Sequence, residues 1–174
     1  LGSKYGFCAA VLSNQKTSHV TLVNPKIVCH EQSTANGAYA IFGGAVVIEG
    51  GTIDTCNRQG HGVDASYGGH VYCNGTVIHT GGRNSGALAT DFQGGYITVR
   101  DIDATTEIPG SPGIYTAGKS IITAYNSKFL SKGCEAVMVA HSLGHTYLYD
   151  CELTGTVALN THNSMSPEYS YIHM

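Results

Sequence analysis

Short apolar alternations separated by polar and glycine corners recur along the whole chain, and the copy from Gly69 to Phe92 displays the pattern best. There Val71 and Cys73 alternate with polar neighbours, Asn74-Gly75 makes a corner, and Ile78 follows on a second short apolar stretch. A two-residue period is the mark of a half-buried strand. Aligning the copies gives one inward column of Val20, Val46, Val71, Ile97, Ile122 and Thr146. A second column, two residues on, is Leu22, Ile48, Cys73, Val99, Ala124 and Leu148. After a bend comes a third apolar column of Ile27, Ile53, Ile78, Ala104, Phe129 and Leu153. The residues at the bend are Asn24, Gly50, Gly75, Asp101, Asn126 and Asp150, all of types that accept a left-handed backbone. They played no part in setting the alignment and so test it independently.

A further strand follows each polar loop, at Ala38-Tyr39-Ala40, Val63-Asp64-Ala65, Ala87-Leu88-Ala89, Ile114-Tyr115-Thr116, Ala136-Val137-Met138 and Val157-Ala158-Leu159. Three short strands per copy of about 25 residues, with no helical period, predict an all-β, single-stranded parallel β-helix of about six turns, which the resemblance below implies is right-handed. Residues 1–19 are expected to form an incomplete first turn or cap, 20–160 the regular turns of one domain, and 161–174 a cap or truncated next turn.

These patterns, together with stretches such as Gly110-Ser-Pro-Gly-Ile-Tyr-Thr-Ala-Gly118, resemble the right-handed parallel β-helix family, the pectate-lyase-like superfamily in its broad sense. They are also similar to adhesin-like bacterial β-helix repeats. In carbohydrate-active members of the family, substrate lies along the outer face of the strand after the long loop. The resemblance therefore implies a face carrying Tyr39, Ile41, Asp64, Ser66, Leu88, Thr90, Tyr115, Ala117, Val137, Val139, Ala158 and Asn160, with Asp91 at its edge and His61 and Arg83 in adjoining loops. Asp64, Asp91, His61 and Arg83 are the candidate catalytic set for a lyase or glycoside hydrolase. The family's aspartate clusters are missing from this face. Its strip of Ile41, Leu88, Val137 and Val139 instead suggests a surface covered by a partner or by a second copy.

Composition narrows the choice. The charge of -3 and 12% of charged residues give no footprint for nucleic acid or an anionic membrane, and no apolar run is long enough to span a bilayer. Six cysteines and the sequon Asn74-Gly75-Thr76 favour an extracellular or cell-surface location, with Asn74 as the glycan acceptor. The chain begins at Leu1, as a processed or excised piece would. Cys29 and Cys56, on successive turns, are the expected disulfide. Nine histidines raise the question of a metal, yet His70, His79, His141 and His145 lack a matching ligand set, so neither metal nor cofactor is expected. Tyr72, Tyr125, Tyr147 and Tyr149 form an outward ladder, with Tyr39 and Tyr115 on another sheet; such rings can meet sugar faces or simply stack on each other. The expectation is a non-catalytic extracellular scaffold or adhesion module that self-associates or binds a surface glycan or protein. The alternative is the carbohydrate-active enzyme.

Overall fold

The computed structural model describes residues 8–30, 34–56, 58–90, 94–141, 143–162 and 169–174. Among them the chain is all β: a solenoid of three parallel sheets with seven, seven and six strands, in which each strand bonds to its counterpart one turn away. Sheet one holds the strands that follow the long loops (Ala9–Asn14, Asn36–Ile41, Val63–Ser66, Leu88–Thr90, Ile114–Ala117, Glu135–Ala140 and Val157–His162). Sheet two begins with His19–Val23 and ends with Tyr171–His173; sheet three runs from Lys26–Cys29 to Glu152–Thr154.

Hydrophobic alternation sets this register. Val20, Val46, Val71, Ile97, Ile122 and Thr146 stand one above another through sheet two, as do Leu22, Ile48, Cys73, Val99, Ala124 and Leu148. Ile27, Ile53, Ile78, Ala104, Phe129 and Leu153 do the same in sheet three. Together they form one continuous core along the axis. Asn24, Gly50, Gly75, Asp101, Asn126 and Asp150 all have φ between +45° and +67°, so every bend takes the left-handed backbone that its residue type permits.

Sheet one departs from the expected face in two turns. Val63, Leu88, Ile114 and Val137 share one buried row, and Ala65 is level with a second that holds Thr90, Thr116 and Val139. Leu88, Val137 and Val139 are therefore core residues, fully buried, and not an outer strip. A shift of one residue turns every side chain of a strand over. In Ala87-Leu88-Ala89 and Ala136-Val137-Met138-Val139 both phases are small or apolar, which blurs the alternation. In the latter the preceding loop is also short, with eight positions from Phe129 to Val137 against ten from Ala104 to Ile114.

The disulfide is corrected as well. Cys29 pairs in register with Thr55 and points into the core, while Cys56 lies one residue further on and turns its thiol to the Cys29 carbonyl at 3.3 Å. No disulfide occurs among the described residues, and Cys29 and Cys56 are free thiols.

Candidate functional site

The outer row of sheet one runs Tyr39, Asp64, Ala89, Tyr115, Met138, Asn160. Above its first five members lies a groove of about 550 Å³. Tyr39, Asp64, Tyr115 and Met138 form its floor, Asn36, His61, Gly86, Pro112 and Cys134 one wall, and Thr34, Gln59, Asn84 and Gly110 the rim. It extends from strand Asn36–Ile41 to strand Glu135–Ala140, five neighbours in the sheet. At about 4.8 Å per strand, that is roughly 19 Å along the axis.

A repeated clamp builds the wall. Thr55, Thr80 and Thr106 end successive strands of sheet three, and each donates its buried hydroxyl to a carbonyl five residues later, at Gly60, Ser85 and Ser111 (3.0, 2.8 and 2.6 Å). Each clamp folds its loop back so that the next residues, His61, Gly86 and Pro112, enter the groove at the same height relative to their strands. Gln59, Asn84 and Gly110 all take positive φ just before them.

The groove's polar centre is a connected chain. Asn36 donates its amide nitrogen to Asp64 Oδ2 at 3.0 Å and accepts the His61 backbone N–H on its Oδ1 at 2.8 Å, which fixes the orientation of the carboxamide. Ser66 Oγ donates to Asp64 Oδ1 at 3.4 Å. His61 Nδ1 accepts the Gly86 backbone N–H at 2.9 Å, so the neutral ring carries its proton on Nε2. With Nδ1 engaged in this way, it is not available as a proton acceptor. Asn36, His61 and Asp64 are all more than nine-tenths buried, so their positions are set before any ligand arrives.

At the far end of the groove, Cys134 donates its thiol to Glu135 Oε2 at 2.6 Å, and Asn160 donates to Glu135 Oε1 at 2.9 Å. Burial, reinforced by the Glu135 hydrogen bond, pushes the Cys134 thiol up to about 11, so it is a neutral wall group and not a nucleophile. The same hydrogen bond holds Glu135 below the ordinary carboxyl range.

Of the candidate catalytic residues, Asp64 and His61 come together in the groove. Arg83 is exposed on its loop and does not line it, and Asp91 lies outside the described residues. Tyr39 and Tyr115 line the floor, and Ile41 sits on the outer row two residues beyond Tyr39, almost fully buried. The tyrosines of sheet two behave differently. Tyr125 stacks on Tyr149 (centroids 4.9 Å apart, planes 9°) and Tyr147 on His173 (4.3 Å, 8°), while Tyr72 is half-buried on the same outer face. Rings stacked along the axis give their faces to each other and turn only their edges to solvent.

Asn74 donates its amide to Glu49 Oε2 at 2.9 Å, and the Thr76 hydroxyl of the sequon is buried on the Gly50 carbonyl. Among the described residues, no three His, Cys, Asp or Glu side chains gather as a closed, all-protein metal site would require.

Sequence reasoning passed over Asn36, Gln59, Asn84, Cys134 and Met138. The signal for Asn36 was present: it stands three residues before Tyr39, as His61 stands three before Asp64. The chain matches no family model, no curated protein and no solved structure.

Proposed function

We propose that this chain is a non-catalytic glycan-binding module that takes a short stretch of neutral, linear saccharide along the sheet-one groove, outside the cell or at its surface. The observation that carries this reading is the groove itself. It runs across five strands, its floor carries the carboxylate of Asp64 and the half-buried ring of Tyr115 beside the almost fully buried Tyr39, and buried partners hold Asp64 in place. Hydroxyl groups need acceptors such as Asp64 and donors such as the His61 ring, and C–H faces need aromatic surface. Among the described residues no Lys or Arg lines the groove, and the buried Asp64 would repel a uronate chain.

Glycoside hydrolysis by two carboxylates requires a second acid about 5–9.5 Å from the first. Asp64 is the one acid among the described lining residues. The enzyme reading, which takes Asp91 as that second acid, stands as the alternative outcome of the same experiment. Association through an apolar strip loses its support, because Leu88, Val137 and Val139 lie in the core.

The test is calorimetric titration with a panel of neutral and uronic oligosaccharides, alongside an assay for new reducing or unsaturated ends. One neutral series should bind, with affinity rising with chain length until the groove is full. Asp64→Ala should weaken that binding about tenfold to a hundredfold, as loss of a charged hydrogen bond does. No neutral ligand binding, or equal binding by Asp64→Ala, would remove this reading. Ends that accumulate with wild type and vanish with Asp64→Asn would replace it with the enzyme.

A further inference from the structure

The outer face of sheet two ends in a cluster distinct from the groove. Register pairs His145 with Tyr171 and Tyr147 with His173, so the two histidines are diagonal neighbours on adjacent strands. His145 Nδ1 lies 3.2 Å from His173 Nε2, with the ring planes 11° apart. Each ring is held by a tyrosine: His145 stacks on Tyr171 at 5.0 Å and His173 on Tyr147 at 4.3 Å. The cluster is open to solvent on its outer side, where His173 is exposed and His145 half-exposed.

Two imidazole nitrogens at this separation match the bite of a single ion. With metal–nitrogen bonds of about 2.0–2.1 Å, nitrogens 3.2 Å apart subtend an angle of about 100° at the metal, between the octahedral and tetrahedral values. We propose that His145 and His173 form a two-histidine site for a divalent transition-metal ion of the zinc and copper class, its remaining positions taken by solvent. Imidazole is the ligand these borderline ions prefer. The stacking tyrosines hold both rings in place, which lowers the ordering cost of binding.

Without the ion, one ring donates an N–H to the other. On binding, the donor ring changes tautomer: its hydrogen moves to its second nitrogen, and both lone pairs turn to the metal. At neutral pH no proton is released; at acid pH each protonated ring must lose one, so affinity falls. Among the described residues the other titratable groups in the cluster are Tyr147 and Tyr171, and the neighbouring strand faces the pair with Ile121 and Thr123, which carry no charge. Coordination would also tie strand Tyr171–His173, which pairs through only three residues, more firmly to its neighbour.

The experiment titrates metal-free protein with Zn²⁺, reading stoichiometry by calorimetry and location by the imidazole nitrogen resonances. The comparison uses His145→Gln, His173→Gln and His79→Gln. His79 is the control because it contacts the carboxylates of Asp54 and Glu107 on sheet three, a separate place where a cation could lodge. Wild type should bind one ion with shifts at His145 and His173. Either of their variants should weaken binding about tenfold or more, as loss of one of two ligands requires, and His79→Gln should bind as wild type. Binding should also decline at acid pH, because a protonated ring cannot ligate. Absence of binding, unchanged binding in His173→Gln, or loss confined to His79→Gln would overturn the proposal.

Discussion

The bends and returns of this solenoid rest on individual glycines of two physically different kinds. Gly75 sits at a bend with φ +62°, and a Cβ there would meet nothing within 4 Å. Gly95 has no left-handed requirement, but a Cβ there would overlap the Ala65 carbonyl of the turn below. Gly75→Ala should therefore cost only the left-handed penalty, about 1 kcal/mol. Gly95→Ala must push two turns apart and should cost about 3 kcal/mol. Urea midpoints of the two variants decide between these costs, and equal losses would mean that close packing of the turns does not govern this return. The difference could not be read from sequence, where both are Gly in a Gly-rich corner. The bends themselves were legible, because Asn, Asp and Gly are the residues that accept left-handed φ, and all six candidate positions proved to have it. The groove was half-legible at this scale. Asp64 and His61 were visible as chemistry-bearing residues, whereas Asn36, which orients both, announces itself only through a register that spans a turn.

At the scale of elements, sheets two and three followed the hydrophobic alternation through every turn, because their strands are joined by a tight bend of constant length. Sheet one did not, since loops of varying length feed it and the alternation is blurred where small residues occupy both phases. Sheet three adds an exposed charge ladder on its outer side. His79 lies 2.9 Å from Asp54 and 3.2 Å from Glu107, and Lys132 reaches Glu107 at 2.8 Å. The Lys132 hydrogen bond, with help from His79 and against some desolvation, holds Glu107 below its ordinary 4.5. A carboxyl depressed in the folded state stabilises fully above its unfolded value and loses that contribution as pH falls through the folded one. Wild type should therefore lose an increment of stability below about pH 4.5 that Lys132→Met has already lost at neutral pH. Urea midpoints across about pH 3–7 should converge for the two proteins at the acid end. They should also lie closer together in high salt, since the pair is at the surface. Parallel curves would show that this rung contributes nothing.

For the whole molecule, the buried position of Val137 changes what a charge there does. An outward Val137 would tolerate lysine and lose only a contact with a partner. In the core it stacks between Ile114 and Leu159, and an ammonium there has neither water nor a counter-charge. The cost of burying it is several kcal/mol, a large part of the 5–15 kcal/mol that holds a domain together. A solenoid distributes such damage unevenly, because each turn touches only its neighbours. Val137→Lys should therefore unzip the turns around strand Glu135–Ala140 and those beyond it, while strands Ala45–Glu49 and His70–Asn74, three or more turns away, keep their protection. Amide hydrogen exchange reads this strand by strand. Tyr149→Lys serves as the surface control: its ring is 46% exposed, and its loss removes one stacking contact with Tyr125. That variant should leave exchange unchanged outside its own strand. If Val137→Lys exchanges like wild type everywhere, the side chain faces outward, the sheet-one register is one residue off, and the groove above it must be redrawn.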